Sequence, residues 1–228
     1  MTAASGRGIL DDVRVTRLGH AAILVETPFV RILVDPGGFS TDWHGLDNLD
    51  AVLITHQHPD HVDTAGLAEV ARLNPTIRLV AESAVVAMLN EIDLAAEAAE
   101  PGDFLEVGPT RVEVVGGRHA LIHESIPRVG NVGFVISEGD GAHLFHPGDA
   151  YEYVPDAVDV LALPLTAPWT SVGGTADFLA AVAPREALPI HDAILSPTGR
   201  ELYLRVVANV VGDDVVLHHL GATDSLDI

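Results

Sequence analysis

Residues 51–63 read AVLITHQHPDHVD: four apolar side chains and a threonine, then three histidines and two aspartates within the next eight positions. A short run without a polar side chain suits a strand buried on both faces. The histidines then leave the sheet at a strand end and lie on a loop, where binding and catalytic residues concentrate. His56 and His58, at i and i+2, can aim their rings into one pocket. Pro59 stiffens the turn, and Asp60 and His61 come just before a helix expected over Thr64 to Leu73, with Leu67, Val70, Ala71 and Leu73 near one face. Neighbouring residues cannot all point one way, so the stretch suits two metal ions better than one.

Other short β-like runs surround this one: VRVTRL, AAILVE, VRILVD, IRLVA, RVEVVGG, NVGFVIS, AHLFH, DVLALPL, EALPI and DVVLHH. Helical spacing is read at Ser83 to Leu94 and in SVGGTADFLAAVAP, ending before Pro184, while DPGG, EPGD and HPGD mark loops. Strands early and helices interleaved later imply an α/β (α+β) sandwich rather than an all-β barrel. With no repeat, low-complexity segment or linker, residues 1–228 are expected to form a single domain.

The formal charge of −21, with all 12 basic residues arginine, leaves little surface for phosphates, so no nucleic-acid partner is expected. No run approaches the length of a membrane helix. MTAASGRGILDDVRV lacks the apolar segment of a secretory signal, which makes a cytoplasmic location the expectation. Without cysteine, the chain has neither disulfides nor thiolate ligands. Nitrogen and oxygen donors alone suit zinc, and also manganese, iron or nickel.

HQHPDH resembles the H-x-H-x-D-H signature of the metallo-β-lactamase superfamily. The resemblance implies a four-layer αββα sandwich, with further ligands at the ends of later strands. His119 in VVGGRHALIH would join His56 and His58 on a first ion. Asp149 in LFHPGDA would bridge the ions, and His191 in LPIHDAILSP would join Asp60 and His61 on the second. Asp35, ending VRILVD, matches an aspartate that orients a ligand histidine. RLGHAAILVE and HALIHESIPRVGNVGF resemble the branch of ascorbate-phosphate lactonase-like metal-dependent hydrolases, making His20 and His123 candidate pocket residues. In HPGD, His146 ends an apolar run, whereas Asp149 follows a glycine that can turn the chain into the pocket. His44, His143, His218 and His219 have no matching context and are expected to be structural or exposed.

The chain departs from true β-lactamases in lacking the thiolate and lysine of some of them, and in carrying HPGD where TGD is usual. Two divalent ions roughly 3.5–4 Å apart would hold a bridging hydroxide and polarise the bond under attack. Asp60 and Asp149 would act catalytically, positioning that nucleophile and taking its proton. The expected reaction is hydrolysis of a small polar or anionic substrate, a lactone or cyclic ester favoured. Arg118 and Arg128 are candidates to hold a carboxylate or phosphate. A phosphodiesterase acting on a small phosphoester is the alternative, ahead of a mono-iron sulfur-oxidising enzyme and a metal-binding regulator without turnover.

Overall fold

Most central strands are apolar throughout, and their successive side chains point to opposite faces that go to different layers. The computed structural model describes residues 13–139 and 141–228; the N-terminal reading over residues 1–12 lies outside the described residues. A first seven-stranded sheet contains β1 (Arg14–Arg17), β2 (Ile23–Glu26), β3 (Arg31–Val34), β4 (Ala51–Ile54), β5 (Arg78–Ala81) and β6 (Glu97–Ala98) in that spatial order. The second contains β7 (Phe104–Val107), β8 (Thr110–Gly116), β9 (Val132–Glu138), β10 (Leu144–His146), β11 (Val160–Pro164), β12 (Glu186–Ile190) and β13 (Val216–Leu217). The final strand, β14 (Ser225–Asp227), returns to pair antiparallel with β1 and completes the first sheet.

Three apolar clusters fill the three spaces between four layers. Ala51 and Leu53 of β4 meet Ala162 of β11 and Phe134 of β9 between the sheets. Val52 and Ile54 face the other way, against Leu67 and Val70 of α1 (Thr64–Leu73) and Val85 and Leu89 of α2 (Ser83–Asn90). On the far side, Leu161 and Leu163 pack against Phe178 and Leu179 of α3 (Val172–Val182) and Leu204 and Val207 of α4 (Pro197–Val211). This is the αββα sandwich. Among the described residues, no helix is long and apolar enough to cross a membrane.

Several elements differ from the sequence expectation. Helix α2 stops at Asn90 rather than Leu94, because Asp93 adopts φ +59° and the Leu94 and Asp93 N–H groups bond back to the Leu89 and Asn90 carbonyls. That is a Schellman closure with aspartate in the slot usually given to glycine. Helix α4 was not expected, although Ser196 caps it, Pro197 opens it and Gly212 follows it. Strand β7 was also unread: its hairpin partner β8 lies beyond the tight turn at Gly108, φ +57°.

Candidate metal centre

The parallel strands β3, β4 and β5, and β10 to β13, all end at one edge of the sandwich. In open α/β sheets, ligands gather beyond the carboxyl ends of such strands. Asp35 follows β3, Thr55 to His61 follow β4, Asp149 lies three residues past β10 and His191 directly follows β12. His119 comes three residues after β8. Backbone strain accompanies the placement, since Asp35, His20 and His191 have φ of +47°, +44° and +57°.

Two groups of donors form there. His56, His58, His119 and Asp149 make one; His20, Asp60, His61 and His191 make the other, the donor atoms of each lying within 4.8 Å of one another. Asp149 reaches both. Its Oδ1 lies 3.1 Å from His61 Nε2 and 3.2 Å from His191 Nε2, and its Oδ2 lies 3.3 Å from His119 Nε2. Trp169 Nε1 donates to Asp149 Oδ2 at 2.8 Å, a contact no sequence pattern announced.

Hydrogen bonds at the far ring nitrogens set the tautomers. His119 Nδ1 donates to the Ala120 carbonyl, His191 Nδ1 to the Thr166 carbonyl and His61 Nδ1 to Asp35 Oδ2, at 2.7, 2.7 and 2.6 Å. Asp35 is held in turn by the N–H and hydroxyl of Thr55, at 2.8 and 2.7 Å. The Thr55 hydroxyl is thereby committed, so His56 Nδ1, 3.0 Å away, donates to it. Each Nε2 therefore faces the centre as the nitrogen that would bind a metal ion, in place of any proton it carries. Among the described residues, the buried side-chain polar atoms lacking a hydrogen-bond partner are Ser40 Oγ and four atoms of this centre: Nε2 of His61, His119 and His191, and Asp149 Oδ1. Such orphans are costly unless something satisfies them. Imidazole nitrogens and carboxylate oxygens converging in two groups suit cations, so these residues fit divalent ions.

His20 differs from the others in its second group. Its Nδ1 accepts the Ala193 N–H at 3.3 Å, so Nε2 carries the hydrogen and donates to Asp60 Oδ2 at 3.2 Å. It therefore holds Asp60 rather than offering a lone pair.

The charges follow from burial set against neighbours. Burial pushes His56, His58 and His20 below the ordinary histidine range. Burial opposes the charged form of His61 too, but Asp149 and Asp35 outweigh it and raise its pKa well above the usual value. His191 is likewise raised, to about 9, by Asp149 and Asp60 against the opposing effect of burial. Asp60 and Asp149 are held far below the carboxylate range, because the histidines overcome the penalty of burial.

Two glycines shape the loops. A Cβ on Gly37 would sit 1.8 Å from the Asp60 carbonyl oxygen, so the DPGG turn packs directly on the HQHPDH backbone. Gly148 has φ +61°, and a Cβ there would meet Asn131 Oδ1 at 2.3 Å. Asn131 accepts the Asp149 N–H at 2.9 Å and donates to the Pro147 carbonyl at 3.0 Å, fixing the loop that presents the carboxylate. Neither Asn131 nor Trp169 was singled out from the sequence, where nothing links either to the histidines.

The structure brings His56, His58, Asp60, His61, His119, Asp149 and His191 together, with Asp35 behind His61. His20 joins them beside Asp60, whereas Arg118, Arg128 and His123 are not among the converging donors. Arg118 lines a cavity with Val115, Gly133 and Phe145, and Val115 and Phe145 belong to the cluster packed under α3 and α4. Arg128 stands beside His58 and His119 but is committed to the His119 carbonyl at 2.6 Å and to Glu152 at 2.7 Å. His123 is exposed and bonded to Ser125 at 2.8 Å. His146 is buried beneath the centre and bridges the Ala21 carbonyl and the Gly148 N–H. His44 stacks edge-on to Trp43, His143 bonds the Ala157 carbonyl, His218 pairs with Glu186 and His219 is exposed.

Residues 14–191 match the beta-lactamase superfamily domain. Protein Rv0786c of Mycobacterium tuberculosis is 42% identical over 194 residues, which cover 84% of this chain and 89% of that protein. A UPF0173 metal-dependent hydrolase of Pyrococcus furiosus is 30% identical over 199 residues, covering 78% of this chain and 84% of the relative. Among solved structures, the metallo-beta-lactamase fold protein YhfI from Bacillus subtilis superposes with a TM-score of 0.75 at 15% identity, covering 96% of this chain and all of the other, a likeness of fold.

Proposed function

The chain belongs to the beta-lactamase superfamily and is a metal-dependent hydrolase, and we propose that it works with two divalent ions, zinc first among them, on a small ester, a lactone favoured. One observation carries the two-ion reading: the buried Nε2 atoms of His61, His119 and His191 converge on the two oxygens of Asp149. His56, His58 and His119 would hold one ion, Asp60, His61 and His191 the other, and Asp149 both.

Divalent ions in this setting supply Lewis acidity toward a carbonyl oxygen and lower the pKa of a water molecule. The protein's own contribution is orientation. Asp35 and the Ala120 and Thr166 carbonyls fix three rings, and Trp169 and Asn131 fix Asp149. Asp60 is the more exposed carboxylate of the pair, steadied by His20, and can accept a hydrogen bond from an attacking water. Its depressed pKa keeps it ionised, so it serves as a positioning acceptor rather than a proton store. Of the two arginines expected to hold an anionic group, Arg128 is engaged by the His119 carbonyl and Glu152, and Arg118 lines a neighbouring cavity with Asn131 and Pro147. A small-molecule substrate without nucleic acid, and a cytoplasmic location, complete the proposal.

Metal analysis of protein purified without added metal, followed by a panel of lactones, thioesters and phosphoesters, tests it. Two equivalents of metal and chelator-sensitive lactone hydrolysis are expected. One equivalent at saturation with zinc, cobalt or manganese overturns the two-ion reading.

A further inference from the structure

The loops that carry the metal-binding side chains also carry large apolar side chains that remain in the open. Phe39, Leu121, Ile126 and Ile194 are 50%, 50%, 46% and 55% exposed. All four lie near the centre in chain or in space. The Phe39 ring lies 5.0 Å from that of His20, centroid to centroid. Ile194 follows Ala193, whose N–H bonds His20. Ile126 walls a small cavity together with His58 and His119. Leu121 follows Ala120, whose carbonyl accepts the hydrogen bond from His119 Nδ1. The half-buried indole of Trp169, 6.2 Å from the His119 ring, adds a further apolar surface.

The arginines nearest these loops are already committed. Arg17 and Arg200 both bind Asp192, next to His191, and Arg128 is tied to the His119 carbonyl and Glu152. Arg118 lines a cavity with Asn131, Pro147 and Ala150, beside the loop that carries Asp149 but with no metal-binding side chain in its wall. Exposed apolar side chains gathered at a binding site mark what the site receives.

Resting on the hydrolase reading above, we propose that the substrate is an uncharged ester carrying an apolar chain, which lies against Phe39, Ile194 and Ile126 while its carbonyl sits at the metal centre. The reaction is plain hydrolysis: water adds its oxygen to the carbonyl carbon, the ester C–O bond breaks, and the alcohol leaves with a proton. No group beyond water is consumed.

Two measurements on the zinc-loaded chain test this. The first is kcat/KM for a series of γ-lactones with progressively longer alkyl substituents, beside a small phosphodiester. Each added methylene should raise kcat/KM about two- to fourfold until the wall is covered, in line with the transfer of one methylene from water. Phe39→Ala and Ile194→Ala should flatten that rise while binding the same amount of metal. The second is the affinity of straight-chain alkyl hydroxamates of increasing length, read from the visible spectrum of the cobalt-loaded protein, and it should show the same slope and the same flattening.

Lactone hydrolysis indifferent to chain length, or a preference for the phosphodiester, overturns this inference and leaves the hydrolase reading intact. No turnover of any ester with two ions bound overturns the hydrolase reading, and the hydroxamate series still decides the apolar wall. A dimer that Phe39→Ala or Ile194→Ala dissociates would assign these side chains to a second copy of the chain and overturn the proposal.

Discussion

His61 Nδ1 lies 2.6 Å from Asp35 Oδ2, and neither side chain has any solvent exposure. Asp35 has no lone hydrogen to give, so the imidazole donates and its opposite nitrogen faces the centre as an acceptor. A carboxylate behind a ligand histidine fixes ring and tautomer and raises the basicity of the nitrogen that binds metal. Asp35→Asn keeps the shape but removes the charge. We expect it to weaken the second ion preferentially, by about 10- to 100-fold, with the first little changed. Metal titration followed by calorimetry would show two separated affinities; loss of both ions to the same extent would remove Asp35 from this role.

His20 steadies Asp60 through one N–H, with its other nitrogen receiving the Ala193 N–H. His20→Ala should lower the affinity of the second ion and the rate together. His20→Gln, whose amide can still donate toward Asp60, should recover part of both. Two ions bound with unchanged affinity in His20→Ala would sink this assignment, whatever happens to the rate.

Asp149 and His146 separate function from support. Asp149→Ala should lose metal and turnover, because it removes a carboxylate whose two oxygens face both donor groups. His146→Ala should keep two ions but destabilise the chain by about 1–3 kcal/mol, since the buried Ala21 carbonyl loses its donor. Metal content and urea melts of both variants decide the matter. A metal lost from His146→Ala and kept in Asp149→Ala would reverse the assignment.

The metal-free chain should show a distinctive pH profile. The folded pKa of His191 is raised to about 9, against roughly 6.5 for an unperturbed histidine. A group raised in this sense stabilises the fold fully below the unfolded value and loses that contribution as pH rises through about 9. His61 shifts in the same direction, while His56, His58, His20 and His146 are lowered and affect stability only on the acid side of the unfolded pKa. Chelator-stripped protein should therefore lose thermal stability between about pH 6.5 and 9. The zinc-loaded protein should not, because ions replace those protons and bind more tightly as the protons leave. A stripped chain whose melting temperature stays level or rises across that window would contradict the raised values.

How much could be read in advance depended on how local each cause was. AVLI followed by HQHPDH announced both a buried strand and the ligands beyond it, because periodicity and donor spacing act over a few residues. Gly148 before Asp149 was legible for the same reason: a turn into the pocket needs a residue that tolerates positive φ, here +61°. The signals of α4, a serine, a proline and a closing glycine, were present in the chain and passed unread. The schellman closure at Asp93 was hidden, since nothing marks an aspartate for the left-handed region before its helix has formed.

What tertiary structure alone decided was direction. Arg118 adjoins His119 in the chain, yet it lines a cavity with Asn131, Pro147 and Ala150 whose wall holds no metal-binding side chain. Trp169 lies 20 residues from Asp149 and His20 lies 40 from Asp60, and both meet their partners only because separate strands end at one edge. The sequence by itself determined which atoms can bind metal and which segments form strands. Which nitrogen of each ring bears its proton, and which arginines are already spent, depends on hydrogen-bond partners that the packing of two sheets brings together.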